Sequence, residues 1–165
     1  MTDLARWEDV ARTPSPWRGR LKLLAARIPP GVSVLDLGAG SQELRELLPA
    51  GCTYQAVDIV AGPGVTVLDL DVDPIPPADV IVMAGLLEYL RSAALTLCAA
   101  CNVARVSVLF SYATIDDEPD FSKREAAGWR SHMDIETIAH IAGARRFATW
   151  EGQGLYVALP LAVSA

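Results

Sequence analysis

The sequence has no long hydrophobic run. Its longest apolar stretches, Val80–Leu87 and Ala93–Cys101, are too short to cross a bilayer, so no membrane span or membrane partner is expected. Near the N-terminus, Asp3, Glu8 and Asp9 stand where a secretory leader would need an apolar core. Cysteine is scarce as well. Three thiols (Cys52, Cys98, Cys101) in 165 residues do not make a disulfide framework, and the expected compartment is the cytoplasm. Cys98 and Cys101 form a C-x-x-C, but it lies in a helical pattern with no second pair, so it reads as packing and no metal is expected. Positive charge is in deficit: 14 Lys and Arg against 20 Asp and Glu leave a net charge of −6. That balance argues against nucleic acid as a partner, because phosphate binding needs a positive surface.

What is present is apolar and unevenly charged. A hydrophobic fraction of 52% excludes disorder, and the length fits one domain. Residues 1–30 read as an N-terminal helical segment of that domain, a possible lid, and residues 31–165 as its main body. Six basic and three acidic side chains fall in 1–30, whereas one basic and nine acidic fall in 31–90. The basic stretch (Arg6, Arg12, Arg18, Arg20, Lys22, Arg27) invites an anionic substrate, but a solvated helix face is the simpler reading. Several of the acids in the middle third stand at strand ends.

Apolar spacing predicts helices over Thr2–Ala11 and Trp17–Ile28, separated by Thr13-Pro14-Ser15-Pro16. Val32–Leu37 reads as a buried strand entering the turn Gly38-Ala39-Gly40. Ser41 is the expected N-cap of a helix through Leu48. Strands follow at Thr53–Ile59, Val65–Leu70 and Val80–Met83, then a helix from about Leu87 to Cys101 and a strand at Val106–Tyr112. Residues 114–132 read as polar and irregular. A helix over Ile135–Ala142 ends at Gly143, and two strands, Arg146–Trp150 and Leu155–Leu159, are joined through Gly152-Gln153-Gly154 as a hairpin. Strand–helix alternation with nearly all-apolar strands means an α/β doubly wound, mostly parallel sheet with a C-terminal antiparallel hairpin strand. The connections Val60–Gly64 and Val72–Ala78 are too short for crossover helices and are expected as bare loops.

The chemistry concentrates at Leu35-Asp36-Leu37-Gly38-Ala39-Gly40. A strand ends in an acid, and two glycines let a ligand approach the backbone. Eighteen residues past Gly40, Asp58 ends the next strand, where a carboxylate can accept both hydroxyls of a ribose. The third glycine of a dinucleotide fingerprint would fall at position 43, which is Glu43. A pyrophosphate would meet the charges of Glu43 and Asp36. A cationic ligand with a ribose and no phosphate would not.

On these residues the sequence resembles the class I S-adenosylmethionine-dependent methyltransferases, whose first motif is similar to Leu35–Gly40. The resemblance implies a Rossmann-like methyltransferase fold over about residues 30–160, with S-adenosylmethionine as cofactor and residues 31–165 as its binding domain. It implies cofactor contacts from Asp36, Gly38, Ala39, Gly40, Asp58 and Ile59, from Asp69 and Leu70 around the adenine, and from Ala84 after the fourth strand. Asp71 and Asp73 are alternatives to Asp69 on a neighbouring register. Many relatives have histidine where Tyr89 stands. Gly128-Trp129-Arg130-Ser131-His132 is similar to a segment of some bacterial members. The loop 113–133 is expected to form one wall of the pocket for a small-molecule or glycan-like acceptor, with Asp116, Trp129 and His132 as substrate-binding candidates and His132 as the candidate proton acceptor. A surface or capping histidine is the simpler reading of His132. Two alternatives stay open: a nicotinamide-dependent oxidoreductase, and a non-catalytic cofactor-binding or assembly module.

Overall fold

The structure, a computed structural model, describes residues 7–8 and 16–161. A single seven-stranded sheet has the order β3-β2-β1-β4-β5-β7-β6. Its strands are β1 (Ser33–Leu37), β2 (Thr53–Asp58), β3 (Val65–Val67), β4 (Ala78–Met83), β5 (Ala104–Tyr112), β6 (Arg145–Trp150) and β7 (Gln153–Ala158). β1 pairs in parallel with both β2 and β4, β3 with β2, and β5 with β4. β7 is antiparallel to β5 and β6 is antiparallel to β7. The architecture is the doubly wound sheet with a C-terminal antiparallel hairpin that the sequence predicts.

Alternation of side chains along each strand divides the core between two faces. On one, Leu35, Leu37, Val57, Ile81, Met83, Val108 and Phe110 pack against α2 (Ala93–Val103) and α4 (Ile135–Ala142). On the other, Val34, Val80, Val82, Leu109 and Leu155 meet Leu24 and Ile28 from the N-terminal segment and Leu44. Here α1 (Arg18–Ala25) lies beside a five-residue 3-10 helix, Glu43–Leu47, which stands in place of the expected helix after the glycine turn. Gln42, in the left-handed region at φ 60°, precedes this helix, and Leu48 and Pro49 end it. Five residues are too few to recover the cost of nucleating an α-helix. The N-terminal segment therefore supplies the cover that this face would otherwise lack.

Other boundaries move for local reasons. β3 stops at Val67 because Asp69 begins a turn, its carbonyl accepting from the N–H groups of Val72 and Asp73. The helix expected from Leu87 to Cys101 divides into a 3-10 turn at Leu87–Tyr89 and α2, with Arg91 and Ser92 donating backbone N–H bonds to Asp71 Oδ1 between them. Within the stretch expected to be irregular there is α3 (Phe121–Ala126), capped by Asp120, whose Oδ1 accepts from the backbone of Ser122 and Lys123. The β6–β7 turn is Glu151-Gly152, both at positive φ (44° and 77°), as a tight two-residue hairpin requires. The connections after β2 and β3 carry no helix. Of the helix expected over Thr2–Ala11, only Trp7 and Glu8 belong to the described residues, and both are helical. Among the described residues no helix is long and apolar enough to cross a membrane, and no group of three or more His, Cys, Asp or Glu is placed to hold a metal.

Candidate functional site

Strand order reverses between β1 and β4, and in open α/β sheets ligands bind outside the carboxyl ends of the strands at such a point. A cleft of about 330 Å³ lies there. Asp36, Gly38, Ala39, Gly40, Asp58, Ile59, Asp69, Leu70 and Ala84 all line it. The structure thus brings together all nine residues that the sequence singled out for a cofactor.

Their geometry follows from the strand ends. Gly38 and Ala39 donate backbone bonds to the Val57 carbonyl (2.8 and 3.1 Å), which ties the glycine turn to β2. Gly38 has φ 73°, a conformation that strains any other residue, and a Cβ there would also press on Leu86 Cδ1 at 3.0 Å. Asp58 closes the turn from the other side: Oδ2 accepts from Gly40 N at 2.9 Å and Oδ1 from Val60 N at 3.0 Å. Each carboxylate oxygen can still accept a second bond. Asp36 is buried, and Oδ2 accepts from the Tyr54 hydroxyl at 2.7 Å. Burial pushes its carboxyl up to about 7 against the pull of that hydrogen bond, and the Asp58 charge adds to the rise. Asp69 and Asp71 both line the cleft, but they also hold backbone: Asp69 Oδ1 accepts from Asp71 N at 3.1 Å. Asp73 does not line it and accepts from Asp69 N.

Trp7, Trp17, Tyr89, Leu90 and Trp129 add an apolar and aromatic wall to the same cleft. Trp129 is held there by a tie between distant segments. Arg130 N and Ser131 N donate to the Glu88 carbonyl (2.6 and 3.1 Å), and Ser131 Oγ donates to Leu87 O at 2.8 Å. Beneath that tie, Arg124 is fully buried. Its guanidinium donates to the carbonyls of Ala113, Thr114, Glu118 and Ser131 and, through Nε, to His132 Nδ1 at 3.0 Å. It also lies 4.8 Å from the Trp129 ring centroid.

The candidates of the 113–133 loop thus separate. Trp129 lines the cleft, whereas Asp116 and His132 do not. Asp116 is exposed and accepts from Ile135 N at the start of α4. His132 is exposed, its Nδ1 taken by Arg124, its ring 5.1 Å from that of Phe121. Their polarity, which suggested a binding wall, is spent on holding the loop.

Sequence reading missed three groups. Arg20, expected on a solvated face, is only 5% exposed and lines the cleft. It donates to Gln153 Oε1 at 2.6 Å and to Ala84 O at 3.3 Å. Gln153, assigned to the hairpin turn, opens β7 and lines the cleft beside it. Glu88 is fully buried, accepts from Ala113 N at 3.0 Å, and has Oε2 without a hydrogen-bond partner. Burial raises its carboxyl above the usual range, with Arg20 and Arg124 among the groups pulling the other way. A helical spacing cannot reveal such contacts, which join residues 64 and 133 positions apart.

No protein-family model and no curated protein sequence matches the chain. Solved structures do match its fold. Magnesium protoporphyrin IX methyltransferase from Synechocystis, with bound S-adenosylhomocysteine, superimposes with a TM-score of 0.68 at 17% identity, over 96% of this chain and 94% of that one. The N-methyltransferase NodS from Bradyrhizobium japonicum, in complex with the same compound, gives 0.66 at 14% identity, over 93% and 96%. A methyltransferase of calicheamicin biosynthesis gives 0.67 at 19% identity, covering 87% of this chain, which spans 54% of that one's length. The chain has the fold of class I S-adenosylmethionine-dependent methyltransferases.

Proposed function

We propose that the protein binds S-adenosylmethionine in this cleft and transfers its methyl group to a small-molecule acceptor. The observation that carries the reading is the convergence of nine residues, chosen from sequence, on one cleft at the switch point of the sheet. The donor set suits the cofactor. Five carboxylates (Asp36, Glu43, Asp58, Asp69, Asp71) line the cleft, which favours a cation and ribose hydroxyls over a pyrophosphate. Glu43 is close enough to Arg18 for an ion pair (3.7 Å), yet still faces the same space.

In this reading Asp58 accepts the ribose hydroxyls and Asp69 with Leu70 borders the adenine. Asp36 and the Gly38–Gly40 turn border the sulfonium end, next to Ala84. When bound, the cofactor supplies an electrophilic methyl group. The chain's part is to align the acceptor with it and exclude water. Trp17, Tyr89 and Trp129 give the cleft an apolar wall against which a flat or apolar acceptor would pack. Neither histidine lines the cleft. Catalysis then rests on positioning, with an acceptor that arrives as a ready nucleophile.

Thermal shift with single ligands tests the reading. S-adenosylhomocysteine at about 100 times its Kd should stabilise the fold by about 2.7 kcal/mol, while NAD and NADP at millimolar concentration should not. A shift with either dinucleotide and none with S-adenosylhomocysteine would make the protein a nicotinamide-dependent oxidoreductase instead. Binding without turnover across a broad acceptor screen would favour a non-catalytic module.

A further inference from the structure

The lining of the cleft is electrically lopsided. Five carboxylates face one guanidinium, and among the described lining residues Arg20 is the only Arg, Lys or His. A buried arginine with few partners is costly, because burial removes water from a charge that keeps its need for acceptors. Arg20 is only 5% exposed. Of its five N–H donors, Nη1 is bonded to Gln153 and Nη2 to the Ala84 carbonyl, while Nε is buried without an acceptor. Both acceptors are neutral.

Its position is built. Gly85, at φ 67°, turns the chain beneath the guanidinium, and a Cβ there would stand 2.5–2.8 Å from three of its atoms. Only glycine lets the plane lie on the backbone of the segment that leaves β4. Gln153 holds the guanidinium from the other side and reaches Glu88 Oε1 through Nε2 at 3.4 Å. Trp17 and Trp150 flank it, with ring centroids 5.6 and 5.9 Å from its Cζ. The chain thus brings a fixed, planar cation to the part of the cleft beside Ala84 and, among the described residues, no carboxylate stands within ion-pair distance of it.

We propose that Arg20 is the carboxylate-binding residue of this cleft, with Gln153 as the residue that positions it. The inference rests on the cofactor reading above. S-adenosylmethionine carries a carboxylate on its amino-acid end, and among the described charged residues of the lining, otherwise all acids, that group has one cation to meet. A carboxylate on the acceptor would offer the same chemistry from the other direction. Arginine suits either source, since its planar fork binds carboxylates with two parallel bonds.

Calorimetry with S-adenosylmethionine and its decarboxylated form separates these cases, because the two ligands differ only in that group. The wild-type protein should prefer the carboxylated form by about 10–100-fold, the span of one or two charge-assisted hydrogen bonds. Arg20→Met, which keeps the apolar stem, should bind both alike, and Gln153→Ala should narrow the preference part of the way. Arg20→Lys keeps the charge for the case in which Met at this position does not fold, and the wild-type comparison needs no variant at all. Equal binding of both forms, with uptake of benzoate by the S-adenosylhomocysteine complex that Arg20→Lys or Arg20→Met weakens, assigns the carboxylate to the acceptor and keeps Arg20 as its partner. Equal binding with no Arg20-dependent uptake of benzoate overturns this inference alone. A wild-type protein that binds neither form overturns the cofactor reading and this inference with it.

Discussion

On the β1–β3 side of the cleft, Asp36 and Asp58 sit in the last residues of strands and Asp69 and Asp71 in the turn after one, so each reaches the site by local chain geometry. On the β4–β7 side, Arg20 comes from the N-terminal helix, Gln153 from the last hairpin, and Trp129 from a loop pinned by Arg124 and the Glu88 carbonyl. The first side needs only a strand, a tight turn and the right residue at the end. The second exists only once the whole sheet has closed. Loss of one contact should therefore damage the two sides differently, and variants can break the contrast or sharpen it.

The largest effect is expected at Arg124. Removing its guanidinium in Arg124→Met leaves four carbonyls and His132 Nδ1 without their donor. Stranding buried acceptors costs about 1–3 kcal/mol each where they cannot reach water. Since the loop can relax, a loss of roughly 3–5 kcal/mol is expected. At about 2–4 °C per kcal/mol for a domain of this size, Tm should fall by about 10 °C. In the folded variant Trp129 should leave the cleft, read as a change in its fluorescence, while affinity for 5′-methylthioadenosine, the adenosine-end fragment of the cofactor, is retained. Loss of nucleoside binding together with stability would abolish the distinction between the two sides.

Asp58→Ala comes next and acts on the local side. It removes the proposed ribose contact and the acceptor of Gly40 N. Affinity for S-adenosylhomocysteine should drop by about 10–100-fold or more, with little change at the β4–β7 side. Unchanged affinity in a folded Asp58→Ala protein would remove Asp58 from the ligand site.

Asp36 gives a smaller, pH-dependent effect. Its carboxyl is raised to about 7 by burial, so the native state holds a proton that the unfolded chain releases near pH 4. Between those values the unfolded state binds fewer protons, and stability falls as pH rises, the loss being complete above about pH 7. Asp36→Asn should therefore raise Tm by several degrees at pH 8 and by less at pH 5. A cationic ligand should favour the ionised form. Affinity for S-adenosylmethionine should climb about 10-fold from pH 6 to pH 8, as the ionised fraction goes from about a tenth to about nine tenths. A flat pH profile in both measurements would place Asp36 outside this linkage.

The same contrast explains what sequence could reveal. The sheet was legible because buried parallel strands are nearly continuous apolar runs, and the bare connections after β2 and β3 were legible from their lengths alone. The Asp36–Gly40 turn and Asp58 were legible because strand, turn and acid are neighbours in sequence. The 3-10 helix Glu43–Leu47 was not, since Ser41 and Glu43 carry α-helical signals that lose to the short span before Pro49. Arg20 reads as one more basic residue on an amphipathic helix until its contacts with Gly85 and Gln153 are known. α3 left a faint mark, Asp120 standing as an N-cap before Phe121–Ala126, but without apolar periodicity behind it the cap could equally begin a turn.

His132 carries the smallest expected effect and the clearest lesson about the loop. A histidine between the fifth strand and a helix, beside a tryptophan, is placed in sequence where a proton acceptor would approach a substrate. A general base must come within hydrogen-bond reach, about 2.6–3.2 Å, of the proton it takes, directly or through one water. His132 does not line the cleft, its Nδ1 already accepts from Arg124, and its ring packs on Phe121. Loss of one charge-assisted bond at an exposed ring, where water can replace it, should cost about 1 kcal/mol. His132→Ala should then lower Tm by only about 2–4 °C and leave S-adenosylhomocysteine affinity unchanged. Arg124→Met combined with His132→Ala should lower Tm hardly further than Arg124→Met alone, because the two side chains share one bond. Fully additive losses would mean that the histidine acts apart from Arg124, and would return it to the search for a group that handles the acceptor's proton.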